Sequence, residues 1–464
     1  MVEPLRKKQK LQENPVASRS LPSGLEPISL TYYSLPINVG KYQGSFQGNR
    51  IAIKVEDSTC YTYVAAGRKI HKICIDLPAE KHLERGKEGA VIPIYSTAAL
   101  ESDILLPDLT FQSEIQNLYS FDCGLAGVPW YANENNSRID QILAAVDATG
   151  ASTLIPLGGG SSIVGSPIHL PNPNPSRLSE PGWAGIALSG SKSFGCLEAA
   201  VARQFCRDVA LYDIAAGGRV VRSWGAAQCP ASILFVPSPC HLSGSKSGAD
   251  STGMDGGSNN PGGGPVSTGR SLVAVAEDSQ ITLWDVRQAE RGGMVAAVQA
   301  APQGFPIWAM ALCRDVIDYD EDTDAFKYGD FLLGFAGAER ALTTLEMRSM
   351  KWHFHRKWSG CVKYPVTHLC LSKANPRFAY VAGLDYECVA GRWDGSTGQT
   401  ACSGNSNSGQ TNGHGGRAVG RLDDERMGVV TKGSDPEVGL SFRGSAKWIG
   451  MALASKGRRN DEVE

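Results

Sequence analysis

Leu272-Val273-Ala274-Val275-Ala276-Glu277-Asp278, followed after Ser279 by Gln280-Ile281-Thr282-Leu283-Trp284-Asp285-Val286, decides the fold of this chain. An apolar run of small and β-branched residues meets a turn at Asp278, and a second run of Ile, Thr, Leu and Trp follows. Val, Ile, Thr and aromatics suit a pleated strand, and Asp or Gly at the junction tolerates the backbone angles of a tight turn. The phrase predicts a strand–turn–strand unit.

The unit recurs. Tyr63-Val64-Ala65-Ala66-Gly67 is followed by a strand-like run at 70–76, and Leu143–Gly150 is followed by one at 152–157. Phe331–Gly337 and Phe378–Gly383 repeat its first half. A further strand precedes each pair. It is led by tryptophan at Trp183–Leu188, Trp308–Leu312 and Trp448–Leu453, and lacks it at Ile115–Tyr119, Ser232–Val236 and Val366–Leu371. The segment Leu197–Leu211 has the alanine content of a helix, but its place between two strand-like runs predicts a strand.

Spacing supports a repeat. Leu211-Tyr212-Asp213-Ile214 and Leu283-Trp284-Asp285-Val286 lie 72 residues apart, or 42 once a thirty-residue insertion is set aside. A period of ~40–45 residues belongs to four-stranded propeller blades. That insertion, residues 241–270, holds nine glycines and six serines, and a similar Gly/Ser-rich stretch begins at 395. Neither carries the apolar surface that offsets ordering entropy, so both are expected to be disordered loops, at about 241–270 and 395–440.

The repeat resembles the WD-repeat (transducin-like) β-propeller family. Leu283-Trp284-Asp285-Val286-Arg287 matches the family's strand-ending signature, Leu211-Tyr212-Asp213 nearly so, and Arg392-Trp393-Asp394 more loosely. The resemblance implies an all-β ring of about seven blades over residues 45–454, the last possibly incomplete, after a mostly disordered tail at 1–44 and before a polar tail at 455–464. Six blades are expected at about 45–80, 112–158, 182–225, 230–288, 305–358 and 364–394, with a seventh beginning at 447–454. Either strand material at Ile28–Val39 closes the ring or the last blade is incomplete. The tryptophans at 183, 308 and 448 are expected to wedge between blades.

Composition bounds the function. Lys+Arg number 45 and Asp+Glu 47, a net charge of −2 over 464 residues, so overall charge gives no reason to expect nucleic-acid or anionic-membrane binding. Twelve scattered cysteines form no C-x-x-C pair, which removes the usual zinc-finger and dithiol spacings. Free thiols without an apolar leader predict a cytosolic or nuclear protein; the basic cluster Arg6-Lys7-Lys8-Gln9-Lys10 fits either a nuclear import signal or a solvated terminus.

Candidate chemistry is sparse. The Gly-rich run Pro156–Ser162 lacks the Gly-Lys-Ser/Thr ending of a phosphate loop and reads as a loop between blades. No G-x-S-x-G serine occurs. His353 and His355 share a strand face in the manner of metal ligands but have no Cys or carboxylate beside them. Aromatic and basic residues alternate over Lys351–Trp358, a pattern that fits a half-buried strand better than an RNA platform. The acidic stretch Asp315–Asp324 departs from a calcium loop at Thr323 and Gly329.

These observations predict no catalytic residue, cofactor or metal, and a non-enzymatic scaffold that binds other proteins, as in a multi-subunit complex. Within the family, Trp284-Asp285-Val286-Arg287 also resembles the docking motif of substrate receptors for the cullin-4 ubiquitin ligase adaptor. In that alternative Arg287 is an exposed docking charge and Asp285 a hydrogen-bond acceptor within the blade, with Trp284 beside them.

Overall fold

The computed structural model describes residues 30–32, 48–77, 94–96, 102–123, 139–172, 182–191, 196–236, 272–286, 288, 293–313, 332–347, 353–372, 378–384, 387–393, 438–443 and 448–453. Among them, six four-stranded antiparallel sheets follow one another along the chain as the blades of a β-propeller. Blade I comprises β2 (Ile51–Glu56), β3 (Thr59–Ala66), β4 (Lys69–Asp76) and β6 (Asp103–Leu105). Blade II has β7 (Ile115–Asp122), β8 (Gln141–Asp147), β9 (Ser152–Leu157) and β10 (Ile168–Leu170). Blade III has β11 (Ala184–Ser191), β12 (Cys196–Arg203), β13 (Asp208–Asp213) and β14 (Arg219–Gly225).

Blade IV runs through β15 (Pro230–Val236), β16 (Leu272–Glu277), β17 (Gln280–Asp285) and β18 (Met294–Gln299). Blade V has β19 (Ile307–Leu312), β20 (Leu332–Gly337), β21 (Ala341–Glu346) and β22 (His353–Ser359). Blade VI has β23 (Val366–Leu371), β24 (Phe378–Gly383), β25 (Glu387–Arg392) and β26 (Val438–Arg443).

The middle strands are apolar on both faces because both faces are covered. Period-two alternation sends neighbouring residues to opposite sides. In β12, Leu197, Ala199 and Val201 join the apolar cluster shared with blade II, while Ala200 and Ala202 join the one shared with blade IV. In β16, Leu272, Ala274 and Ala276 meet blade V, and Val273 and Val275 meet blade III. Five such clusters join blades I–II, II–III, III–IV, IV–V and V–VI. Each blade depends on its neighbours for burial.

The expected seven blades are six among the described residues. The segment 448–453 carries the same phrase as the inner strands but pairs into no sheet. It bridges blades VI and I instead. Ile449 accepts a hydrogen bond from Arg50 N at 2.9 Å, and Met451 N donates to Asn49 Oδ1 at 3.0 Å. At the N-terminal end, β1 (Leu30–Tyr32) pairs in parallel with β5 (Ile94–Ser96) as a separate two-stranded sheet.

The ambiguous segment from Leu197 forms β12 and the start of β13, as strands. The Gly/Ser-rich insertions, the acidic stretch Asp315–Asp324 and both tails lie outside the described residues, save for β1 within the N-terminal one and the first three residues of β26, 438–440, at the end of the second insertion.

In a four-stranded meander, the connection between the second and third strands and the connection to the next blade emerge on one rim. Hydrogen bonds tie these two sets together: Ile307 N to Asp278 O at 2.7 Å, Ala338 N to Pro306 O at 2.9 Å, Leu384 N to Pro365 O at 2.9 Å and Ala226 N to Arg207 O at 2.8 Å. The middle turns take left-handed residues at Gly67, Gly150, Arg207, Asp278 and Arg340. We call this the compact rim. The connections containing 237–271, 313–331 and 393–437 leave from strand ends on the opposite rim.

Candidate functional site

The tryptophan–aspartate signature sits at the seam between blades III and IV. Trp284 Nε1 donates to Thr282 Oγ1 at 3.0 Å, and Thr282 in turn donates to Glu277 Oε1. The second Glu277 oxygen accepts from Gln228 N at 3.0 Å, so a fully buried carboxylate is satisfied on both sides. Trp284 lies against Trp224 of the neighbouring blade, ring centroids 5.3 Å apart and tilted by 35°. The Arg222 guanidinium covers the Trp224 ring at 4.9 Å and donates to the Asp285 carbonyl at 3.0 Å and to the Gln288 carbonyl.

Asp285 is buried, and its N–H donates to Gly293 O at 2.8 Å. Trp284 and Asp285 are therefore embedded in the blade seam. Arg287 lies outside the described residues. Arg222 and Trp224 are the partners that sequence reading did not single out. Their two-residue spacing on β14 puts both on one face, but the contact crosses a seam that no local pattern reveals.

A channel of about 210 Å³ runs between the inner strands, lined among others by Asn49, Asn117, Trp183, Trp308, His368 and Met451. Blades II–VI contribute, with Asn49 just before β2 and Met451 of the bridging segment. Trp183 is buried and packs in the III–IV cluster, as a wedge would. Trp308 departs from that expectation: it is half-buried and faces the channel. Trp448 is also only half-buried.

Among the described residues, His368 is the one imidazole in the lining and no carboxylate lines it. Its Nε2 lies 3.1 Å from Gly48 O and its Nδ1 3.0 Å from Thr367 Oγ1. A carbonyl only accepts, so Nε2 carries the proton, and the one Thr367 hydroxyl proton lies between Nδ1 and the Ala382 carbonyl, 3.3 Å away. Burial pulls the ring's pKa down to about 4, against a smaller opposing effect of the Gly48 carbonyl, and the ring is neutral near pH 7. A neutral ring whose Nε2 proton is held by the Gly48 carbonyl is a structural tie.

Contrary to the expected loop between blades, the Gly-rich run ends β9 and connects it to β10 within blade II, where it packs against blade I. Lys54 Nζ donates to Gly158 O at 3.1 Å and Lys72 Nζ to Ser161 O at 3.0 Å, while Gly160 N donates to Glu56 Oε2 at 2.7 Å. The blade I carboxylate occupies the N–H that an anion would use, and the loop carbonyls face the lysines. Anion cradling runs the other way.

On β22 a bulge falls between the pairs Thr344–Arg356 and Leu345–Phe354, so simple alternation is broken around His355. Trp358 is buried in the V–VI cluster, and Lys357 pairs with Glu339. Among the described residues no group of three His, Cys, Asp or Glu has the geometry of a metal site.

Nine described cysteines form no disulfide with one another. Burial pushes Cys123 up to about 12, and Cys361 and Cys388 up to about 11, which makes these thiols poor nucleophiles.

Compared with known proteins, the chain matches no protein-family model and no curated protein.

Proposed function

We propose that this protein is a non-enzymatic, WD-repeat-type scaffold that binds other proteins in the cytosol or nucleus. The observation that carries the reading is the contrast between a rigid ring, sealed by five apolar clusters, and the turns it holds in fixed positions on the compact rim. Recognition in such folds sits on loops that a stiff framework positions. The described titratable groups of the channel and of the Trp284 seam are engaged in structural hydrogen bonds, which supports binding over catalysis. Affinity purification of the full-length protein followed by mass spectrometry tests this. Reproducible protein partners are expected, and their absence contradicts the proposal.

The alternative, a substrate receptor for the cullin-4 adaptor, draws on the way Trp284 and Asp285 anchor the strand end from which Arg287 follows. Arg287→Ala is expected to abolish adaptor co-purification under that alternative. Unchanged recovery, or none from the unaltered protein, eliminates it.

A further inference from the structure

The compact rim holds three large side chains out to solvent. Phe205 is 53% exposed, Phe305 44% and Tyr364 41%, on the middle turn of blade III and on the IV–V and V–VI connections. Exposed aromatics scattered singly need no explanation. These three differ in sharing one rim and in being held by rigid turns.

Phe205 lies so close to the Gly182 backbone that a Cβ there would sit 2.3 Å from its ring, so only glycine at 182 admits the ring in this position. Phe305 N donates to Pro302 O at 3.0 Å, and the adjoining Pro306 carbonyl is tied to Ala338 N. Tyr364 lies under the Lys363 ammonium, 5.6 Å from the ring centroid, and the next residue, Pro365, accepts from Leu384 N. Side chains fixed before binding lose little entropy when a partner covers them.

The exposed charge on the same rim is mostly cationic. Arg68, Lys69, Arg207, Arg340 and Lys363 are exposed there. The nearby acids are largely engaged: Glu114 with Arg50 at 2.5 Å, Glu339 with Lys357, and Glu387 with the Lys363 N–H at 3.0 Å.

We infer that the compact rim is a docking surface for a protein segment that carries aliphatic or aromatic side chains flanked by carboxylates. The apolar side chains would cover Phe205, Phe305 and Tyr364, and the carboxylates would meet Arg207, Arg340 and Lys363. A stacked single-stranded RNA uses aromatics and cations too. Here, however, the Lys363 ammonium sits over the Tyr364 ring, and the Cδ2–Cε2 edge of Phe205 lies close to Gly182. Partly covered rings favour side-chain packing over base stacking. The inference rests on the scaffold reading and gives it a place and a partner chemistry.

The test selects random phage-displayed peptides on the immobilised full-length protein and titrates the enriched sequences by fluorescence anisotropy. Enriched peptides are expected to combine Asp or Glu with Leu, Ile or Phe and to bind more weakly as salt rises. The double variant Phe305→Ala, Tyr364→Ala and the separate double variant Arg340→Glu, Lys363→Glu are each expected to weaken binding about tenfold or more, with unchanged circular dichroism. Enriched peptides without carboxylates, no enrichment at all, or binding that both variants retain would overturn the inference. Oligouridylate RNA that binds the protein and is lost in the same variants would also overturn it. Protein partners recovered equally by the unaltered chain and the rim variants sink the rim assignment while the scaffold stands; recovery of none by the unaltered chain sinks the scaffold itself.

Discussion

Between blades III and IV, Trp183, Leu211, Trp224, Ile233, Phe235 and Val273 meet in one apolar body. Between blades VI and I, residues 448–453 are tied to Gly48–Ile51 and to β23 by hydrogen bonds. Arg50 N donates to Ile449 O, Met451 N to Asn49 Oδ1, and the Cys370 thiol to Met451 O at 3.7 Å. Consecutive blades are joined by surface removed from water, worth about 25 cal/mol per Å². At the closure, hydrogen bonds each worth about 1 kcal/mol net hold the bridging segment. Val64, Ile73, Phe378, Ala382 and Ala390, buried outside the five clusters, lie on the faces of blades I and VI turned away from them. Among the described residues the ring therefore has five continuous apolar clusters, and a closure where a hydrogen-bonded clasp adds to smaller apolar burial.

The largest effects belong to the strong seams. Phe235→Ala empties a site that is 2% exposed at the III–IV seam and is expected to cost about 3–5 kcal/mol, read as a lower urea midpoint. The II–III seam holds a buried ion pair as well. Arg203 donates to Asp208 Oδ1 at 2.7 Å and to Asn172 Oδ1 at 2.8 Å, and both members of the pair are 5% exposed. Arg203→Ala leaves a buried carboxylate without its cation and is expected to cost about 3–5 kcal/mol. The double variant Arg203→Met, Asp208→Leu is expected to recover part of that loss in the same unfolding measurement.

The clasp has a pH signature. His368 links β23 to Gly48, and its folded pKa of about 4 lies below the ordinary 6.5. The unfolded chain takes up this proton first, so the stabilisation from His368 is full above about pH 6.5 and is lost as the pH falls toward about 4. Each unit between the two values is worth roughly 1.4 kcal/mol. His368→Gln keeps a donor for Gly48 without titrating. The unaltered protein is expected to lose more of its urea midpoint than this variant between neutral and mildly acidic pH.

The smallest global effect is expected at Gly450. A Cβ there would sit 2.4 Å from Asn49 Oδ1 and 2.9 Å from Ile51 N, so Gly450→Ala pushes the bridging segment away. Because the apolar seams are untouched, the midpoint should move by about 1 kcal/mol or less. Limited proteolysis near 448–453 should accelerate clearly.

The same contrast explains what could be read from the sequence. The middle strands were legible because two covered faces demand an unbroken apolar run, as in Leu143–Val146, Leu272–Ala276 and Phe378–Ala382. The fourth strands were not. β18 is half-solvated, β6 and β10 are three residues long, and β26 stands apart from β25 beyond a Gly/Ser-rich stretch. Trp448–Leu453 reads as an inner strand because it carries the same side chains, yet no described strand pairs beside it, and the count falls from seven to six. At the candidate site, Trp284 and Asp285 announce themselves as a motif. Arg222 and Trp224 matter through a contact some sixty residues away, which short-range spacing cannot encode.

Hydrogen exchange followed by mass spectrometry compares the two kinds of seam within one molecule. The amides of β8, β12, β16 and β20 are expected to exchange only with global unfolding, while those of 448–453 and 48–51 exchange faster through local opening of the clasp. Equal or stronger protection at 448–453 and 48–51 would contradict a ring whose five apolar seams hold more firmly than the hydrogen-bonded clasp at 448–453.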